Sequence, residues 1–192
     1  MYRFERSIVI RAPLEKVYDF HQYTPNARLI QPWGIQVLEV EQPEEVRPGV
    51  EFNLVVRAYG MTQRWRVRWA EVQPPRKLEG EAAADGLRQA HLTDESLRGP
   101  FAAFRHRHEF TETEPGVTRL RDAIEYLPPF GPLGRLLAPF FHFQLDGMFY
   151  TRQRMTKRIL EASLAPTEAP LDLAQANAFF SVQAAADKSK GE

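Results

Sequence analysis

Three side chains in this 192-residue chain pair acid–base capacity with an apolar setting: His106, His108 and Asp122. An imidazole with a carboxylate partner can serve as a general base. Two imidazoles and a carboxylate can also ligate a metal ion. Set into an apolar wall, the same groups can anchor the oxygen atoms of a bound molecule. Their setting is apolar because of period two. In the run PFAAFRHRHEF, Phe104, His106, His108 and Phe110 share one strand face. In VTRLRDAIEY, Thr118, Leu120, Asp122, Ile124 and Tyr126 share another. Polar groups in such a wall cost about 1–3 kcal/mol each unless they are paired.

The two runs flank Glu114-Pro115-Gly116, a turn signal, so they form a β-hairpin. With Phe110 opposite Thr118, His106 faces Asp122; a shift of two residues brings His108 opposite Asp122 instead. In either register an imidazole and a carboxylate are cross-strand neighbours on the inner face. Tautomer fixing inside the wall and recognition of a ligand are both open to them. No further metal ligand accompanies the three, and neither a metal nor a cofactor is expected.

The remaining elements must hold that hairpin against something. Residues 2–11 alternate, with Tyr2, Phe4, Ile8 and Ile10 on one face, and Ala12-Pro13 stops the strand. Leu14, Val17, Tyr18 and His21 then fall at helical spacing. Thr24-Pro25 opens a second short helix, with Thr24 as its cap, and Pro32 closes it. Residues 35–41 read as strand. Residues 50–59 and 63–73 form a hairpin around Gly60, with Phe52, Leu54, Val56 and Ala58 facing in alongside Trp65, Val67 and Trp69. Pro74-Pro75 reads as a break, and 77–82 as a further strand. Residues 79–91 lack periodicity and read as an extended loop containing His91; strand pattern resumes at Leu92. From Pro132 to Ser163 a wide apolar stripe runs at helical spacing, from Leu133, Leu136 and Leu137 through Phe140, Phe141, Leu145, Met148 and Phe149 to Met155, Ile159 and Leu160. Pro139 should start or kink that helix. His21 and His142 sit on helices, where core or surface placement accounts for them.

Strands in series with segregated helices predict an α+β fold: a curved antiparallel sheet of six or seven strands around one long C-terminal helix, with two short helices after the first strand. Residues 1–163 make one domain, and 164–192, opening with Pro166 and Pro170, a flexible tail.

Composition excludes several classes. Lysine plus arginine and aspartate plus glutamate both number 25, so no basic surplus points to nucleic acid. Arg64, Arg66 and Arg68 alternate as a solvated outer face would. No cysteine is present, which removes thiol chemistry, disulfides and thiolate metal sites. No run approaches the roughly 20 apolar residues of a membrane span, and no signal peptide is evident, so a cytoplasmic location is expected.

Three segments resemble the START/Bet v 1-like superfamily, also called SRPBCC. IRAPLEKVYDF is similar to its strand-Ala-Pro-helix opening. LTDESLRGPFAAFRHRHEF resembles a Phe-x-Asp-x-x-x-x-Gly-Pro-Phe pattern followed by aromatic-x-His-x-His, with Leu92 where an aromatic is common. TRLRDAIEYLPPFGPLG resembles the Thr-x-x-x-Asp-x-x-x-Tyr-x-x-Pro-Phe-Gly-x-Leu-Gly run before the long helix. The resemblance covers about residues 1–162. It implies a helix-grip fold and binding of an apolar small molecule. Relatives include lipid carriers, coenzyme-Q-binding proteins and aromatic polyketide cyclases, so it does not fix one activity.

The leading expectation is a binding module for a lipid, quinone or polyketide-like ring held between sheet and helix. The contacts expected are His106, His108 and Asp122 with Phe52, Leu54, Val56, Trp65, Trp69, Phe104, Leu120, Ile124, Tyr126 and Met148. The alternative is a cyclase or dehydratase using His106 or His108 as general base. Partners beyond the ligand reduce to a transient membrane or protein contact.

Overall fold

The structure is a computed structural model that describes residues 1–78 and 87–162. Strand β1 (Tyr2–Ile10) leads to helix α1 (Leu14–Gln22) and a 3₁₀ helix (Thr24–Ile30). Strands β2 (Ile35–Val40), β3 (Glu51–Ala58), β4 (Met61–Lys77), β5 (Arg88–Arg98), β6 (Ala103–Glu114) and β7 (Val117–Leu127) follow. Helices α2 (Gly131–Leu136) and α3 (Ala138–Ala162) end the described chain. All seven strands form one antiparallel sheet in the order β1-β7-β6-β5-β4-β3-β2. The first strand pairs with the last, while β2 to β7 follow one another as neighbours. The sheet and helices together make the α+β helix-grip fold.

Parity decides which face each strand buries. Phe4 and Ile10 of β1, Phe52 of β3, Val67 and Trp69 of β4, Ala90 and Leu92 of β5, Phe110 of β6 and Leu120, Ile124 and Tyr126 of β7 are all buried. One apolar cluster joins α1 and the 3₁₀ helix to the sheet and the C-terminal end of α3. A second joins Phe4, Ile124 and Tyr126 to Leu145 and Phe149 of α3. Arg6 ties β1 to α3 through Asp146 at 2.5 Å.

Several local expectations need correction. β4 does not stop at Pro74-Pro75. It runs to Lys77 across a register shift between Gln73 and Arg76, because a bulge tolerates residues that cannot donate to the ladder. β5 begins at Arg88 rather than Leu92, so His91 lies on a strand. The rest of the expected 79–91 loop, residues 79–86, lies outside the described residues, as do most of the expected strand at 77–82 and the tail, 164–192. Thr24 does not cap its helix; its hydroxyl donates to the Glu41 carbonyl at 2.6 Å, fastening the 3₁₀ helix to the end of β2. The long apolar stripe divides. Leu145, Phe149 and Leu160 are buried, but Leu133, Leu136, Leu137 and Phe140 are exposed. The helix breaks at Leu137, two residues before Pro139. At α2, a side chain on Gly134 would bring its Cβ to 1.7 Å from the Pro129 carbonyl, so only glycine lets this turn fold over the two prolines.

In the hairpin that carries both histidines, Glu114 pairs with Val117, leaving Pro115-Gly116 as the turn, with Gly116 at φ 78°. A bulge between Glu112 and Glu114 sets the register beyond it: Phe110 faces Leu120 and His108 faces Asp122. The second of the two registers therefore holds.

Candidate functional site

Between the sheet, α1, the 3₁₀ helix and α3 lies a cavity of about 260 Å³. Its belt is apolar: Phe52, Leu54, Val56 and Ala58 of β3, Trp65, Val67 and Trp69 of β4, Phe104 of β6, and Leu145, Met148 and Phe149 of α3. Aromatic contacts stiffen it. Trp65 meets Phe104 edge-on with centroids 5.5 Å apart, and Trp69 lies 5.3 Å from Phe52. Tyr59 also lines the cavity and is 57% exposed, so the cavity reaches the surface there, where the Tyr59 hydroxyl meets Gln144.

The wall also carries His21, Asp94, His106, His108 and Arg152. Strand pairing assembles this polar end. Asp94 of β5 lies opposite His106 of β6, and His108 lies opposite Asp122 of β7, so the groups stand on three adjacent strands. Asp122 sits behind the imidazoles. One of its oxygens accepts from His106 Nε2 at 2.9 Å. His108 Nδ1 lies 2.7 Å from the same oxygen, off the line of a well-directed hydrogen bond. The other oxygen accepts from Gln153 Nε2 at 2.6 Å, and that amide also donates to the Arg6 carbonyl. On the cavity side, Asp94 Oδ2 is 3.6 Å from His106 Nδ1. His21 packs its ring 4.9 Å from that of His108, and its Nδ1 bonds the Val17 carbonyl at 2.7 Å.

Burial sorts the protonation states. It pushes the His21 imidazole down to about 3 and lowers those of His106 and His108, so all three are neutral near pH 7. Burial alone would raise Asp122, but hydrogen bonding from His106 and the close ring nitrogen of His108 outweigh it and hold the carboxyl well below the usual range. Asp94 has no such donor. Burial pushes it up to about 6, against the pull of His108 and Arg152. Burial also lowers Arg152, whose guanidinium lies over the Phe149 ring at 5.0 Å. The site thus holds a fixed anion behind neutral rings, and in front of them a carboxyl poised near neutrality.

Of the residues singled out in the sequence, His106, His108, Phe52, Leu54, Val56, Trp65, Trp69, Phe104 and Met148 line the cavity. Asp122, Leu120, Ile124 and Tyr126 do not. They are buried on the inner parity but covered, Asp122 by the imidazoles and Gln153, and Ile124 and Tyr126 by the cluster around Phe149. Sequence reasoning missed Asp94, His21, Arg152 and Gln153. Signals for them existed: Asp94 has the parity of Ala90 and Leu92, and 152 and 153 follow Phe149 at helical spacing.

Residues 1–164 match the family described as polyketide cyclase/dehydrase and lipid transport. The chain belongs to that family. Its solved relatives by shape include the Zhui aromatase/cyclase from Streptomyces sp. R1128, with a TM-score of 0.64 and 12% identity over 88% of this chain and 99% of that one. The di-domain aromatase/cyclase BexL of the BE-7585A biosynthetic pathway matches with a TM-score of 0.59 and 18% identity, over 86% of this chain and 48% of its own. TTHA0849 from Thermus thermophilus matches with a TM-score of 0.56 and 16% identity, over 85% of this chain and 100% of that one. Identities this low carry the fold alone. No curated protein matches the chain. The described residues contain no helix long and apolar enough to cross a membrane.

Proposed function

We propose that this member of the family binds a compact, ring-containing apolar molecule and holds an oxygen of that molecule against Asp94, His106 and His108. The observation that carries this reading is the placement of those three groups side by side in the wall of a cavity whose belt is apolar. A carrier of pure hydrocarbon needs no imidazole in its wall, and a structural His–Asp pair needs no opening onto a cavity. Volume narrows the choice. A cavity of about 150 Å³ takes up benzene, so about 260 Å³ suits one or two fused rings rather than a long acyl chain.

A second reading, a cyclase or dehydratase, is favoured by one arrangement. His106 donates to Asp122 through Nε2, which leaves Nδ1 as an acceptor on the Asp94 side. In that tautomer His106 can take a proton from a carbon next to a carbonyl. Asp94, pushed up to about 6, can give one to a departing hydroxyl. His108, on the same wall, could replace His106 as base. The aromatase/cyclase names of two fold relatives agree with this reading.

Native mass spectrometry of the full purified chain tests the binding proposal. The expected result is a retained or readily loaded aromatic molecule with an oxygen substituent. Failure to retain any molecule, together with failure to take up 2-naphthol, overturns it.

A further inference from the structure

The polar end of the cavity has the architecture of a divalent-metal site. One ligand atom from each of Asp94, His106 and His108 lies within 4.8 Å of the other two. Clusters of that size are common on surfaces, but this one differs in two respects. It faces the interior of a cavity, and it is braced from behind. Asp122 engages His106 Nε2 and stands 2.7 Å from His108 Nδ1, while Gln153 pins the second Asp122 oxygen. Metal-bound imidazoles are characteristically oriented in this way, the ring nitrogen away from the ion giving its proton to a carboxylate. The nitrogens left over are His106 Nδ1, which already points toward Asp94, and His108 Nε2.

We propose that Asp94, His106 and His108 bind a divalent first-row transition ion in the wall of the cavity, with Asp122 orienting His106 by hydrogen bond and standing against His108 Nδ1. Two nitrogen donors and one carboxylate favour Zn²⁺, Co²⁺ or Fe²⁺ over Mg²⁺ and Ca²⁺, which take oxygen ligands. Three protein ligands leave a coordination position open toward the cavity, where an oxygen of the cavity's occupant could reach it. Charge agrees. Two carboxyl groups, Asp94 and Asp122, stand at the imidazoles with the Arg152 guanidinium nearby, an acidic setting that suits a cation. Arg152 opposes the ion by repulsion. Its removal should therefore strengthen metal binding, an effect that a site elsewhere on the chain would not show.

This inference uses the same side chains as the proposed function but does not depend on the identity of the organic ligand, and its test contains none. The full chain is dialysed against Co²⁺ and then Zn²⁺, metal content is measured by plasma mass spectrometry, and Co²⁺ binding is followed by its visible absorption. One Co²⁺ per chain is expected, displaced by Zn²⁺. Asp94→Asn and His108→Gln should each weaken binding by about ten-fold or more, and Arg152→Gln should tighten it. His91→Gln, on the outer sheet face, should change nothing. Circular dichroism establishes that each variant is folded; if one is not, the remaining variants and the native chain still decide. Absence of stoichiometric uptake by the native chain overturns the proposal. So does uptake unchanged by Asp94→Asn and His108→Gln, or abolished by His91→Gln.

Discussion

The two faces of this sheet use the same kinds of residue to opposite effect. On the outer face a ladder of ion pairs crosses five strands. It runs from Glu5 to Arg121 at 2.6 Å, from Arg121 to Glu109 at 2.5 Å and from Glu109 to Arg107 at 3.0 Å. Arg107 meets Glu71, which meets Arg105 at 2.5 Å, and Glu95 links Arg105 to Arg68. Every carboxylate in the ladder has at least one guanidinium, and water reaches all of them. On the inner face Asp122 has only neutral imidazoles and one amide, and Asp94 has no guanidinium or imidazole within hydrogen-bond distance, His106 Nδ1 lying 3.6 Å away. Outer charges are cheap because solvent screens them and partners are plentiful; inner charges are expensive and persist only in a fixed geometry. Hydrogen bonding from Arg121 holds the Glu5 carboxyl below its usual range, whereas burial drives Asp94 the other way.

The largest expected effect breaks the inner face. Asp122→Ala removes the partner of His106, the neighbour of His108 and the acceptor of Gln153 together. Stability should fall by about 3–5 kcal/mol, the cost of removing one member of a buried pair. Thermal denaturation measures it, and a loss under about 1 kcal/mol would show that Asp122 is not the brace.

The next effect has the opposite sign. Asp94 titrates near 6 when folded and near 3.9 when unfolded, so its ionisation opposes folding. That penalty is absent below about pH 4, grows as pH rises through 6, and is complete above it. Asp94→Asn should therefore raise stability at pH 7.5, by up to about 3 kcal/mol, and by much less at pH 4. An equal effect at both pH values contradicts a buried, unpaired carboxyl.

His21 sharpens the comparison through acid. Its folded pKa is depressed, so its contribution is fully present above about 6.5 and is lost as pH falls toward 3. The stability of His21→Phe relative to the native chain should improve by about 1–2 kcal/mol between pH 7.5 and pH 5. A pH-independent difference would place His21 in contact with water.

The smallest effect belongs to the outer face. Glu71→Ala takes one partner each from Arg107 and Arg105, which keep Glu109 and Glu95, and exposed pairs contribute about 0–1 kcal/mol each. Unfolding in denaturant should shift by no more than that, and binding in the cavity should not change. A larger loss would mean that the ladder acts as a cooperative network.

The sequence made the inner face legible as parity and left its register open. Alternation alone put His106, His108 and Asp122 on one wall with Phe104, Leu120, Ile124 and Tyr126. It could not choose between two pairings, because the choice depends on the bulge between Glu112 and Glu114. Nor could parity separate residues that line the cavity from those one layer behind, since Leu120 and Trp69 alternate in the same way. Asp94 escaped notice because LTDESLR reads as a polar strand; only its pairing with His106 makes it part of the site. Arg152 and Gln153 were hidden in an apolar stripe whose N-terminal third proved exposed.

The account's central claim is that the cavity recognises an oxygen at its polar end rather than apolar surface alone. Isothermal titration of the full chain with 2-naphthol and with naphthalene, two probes of nearly equal size, tests this directly. A hydrogen bond to a charged or strongly polarised group is worth about 1.5–3 kcal/mol, so 2-naphthol should bind at least about ten-fold more tightly. That advantage should disappear in the double variant Asp94→Asn, His108→Phe while naphthalene binding persists. Equal affinity of the native chain for the two probes, or an advantage that survives in the double variant, would contradict the claim.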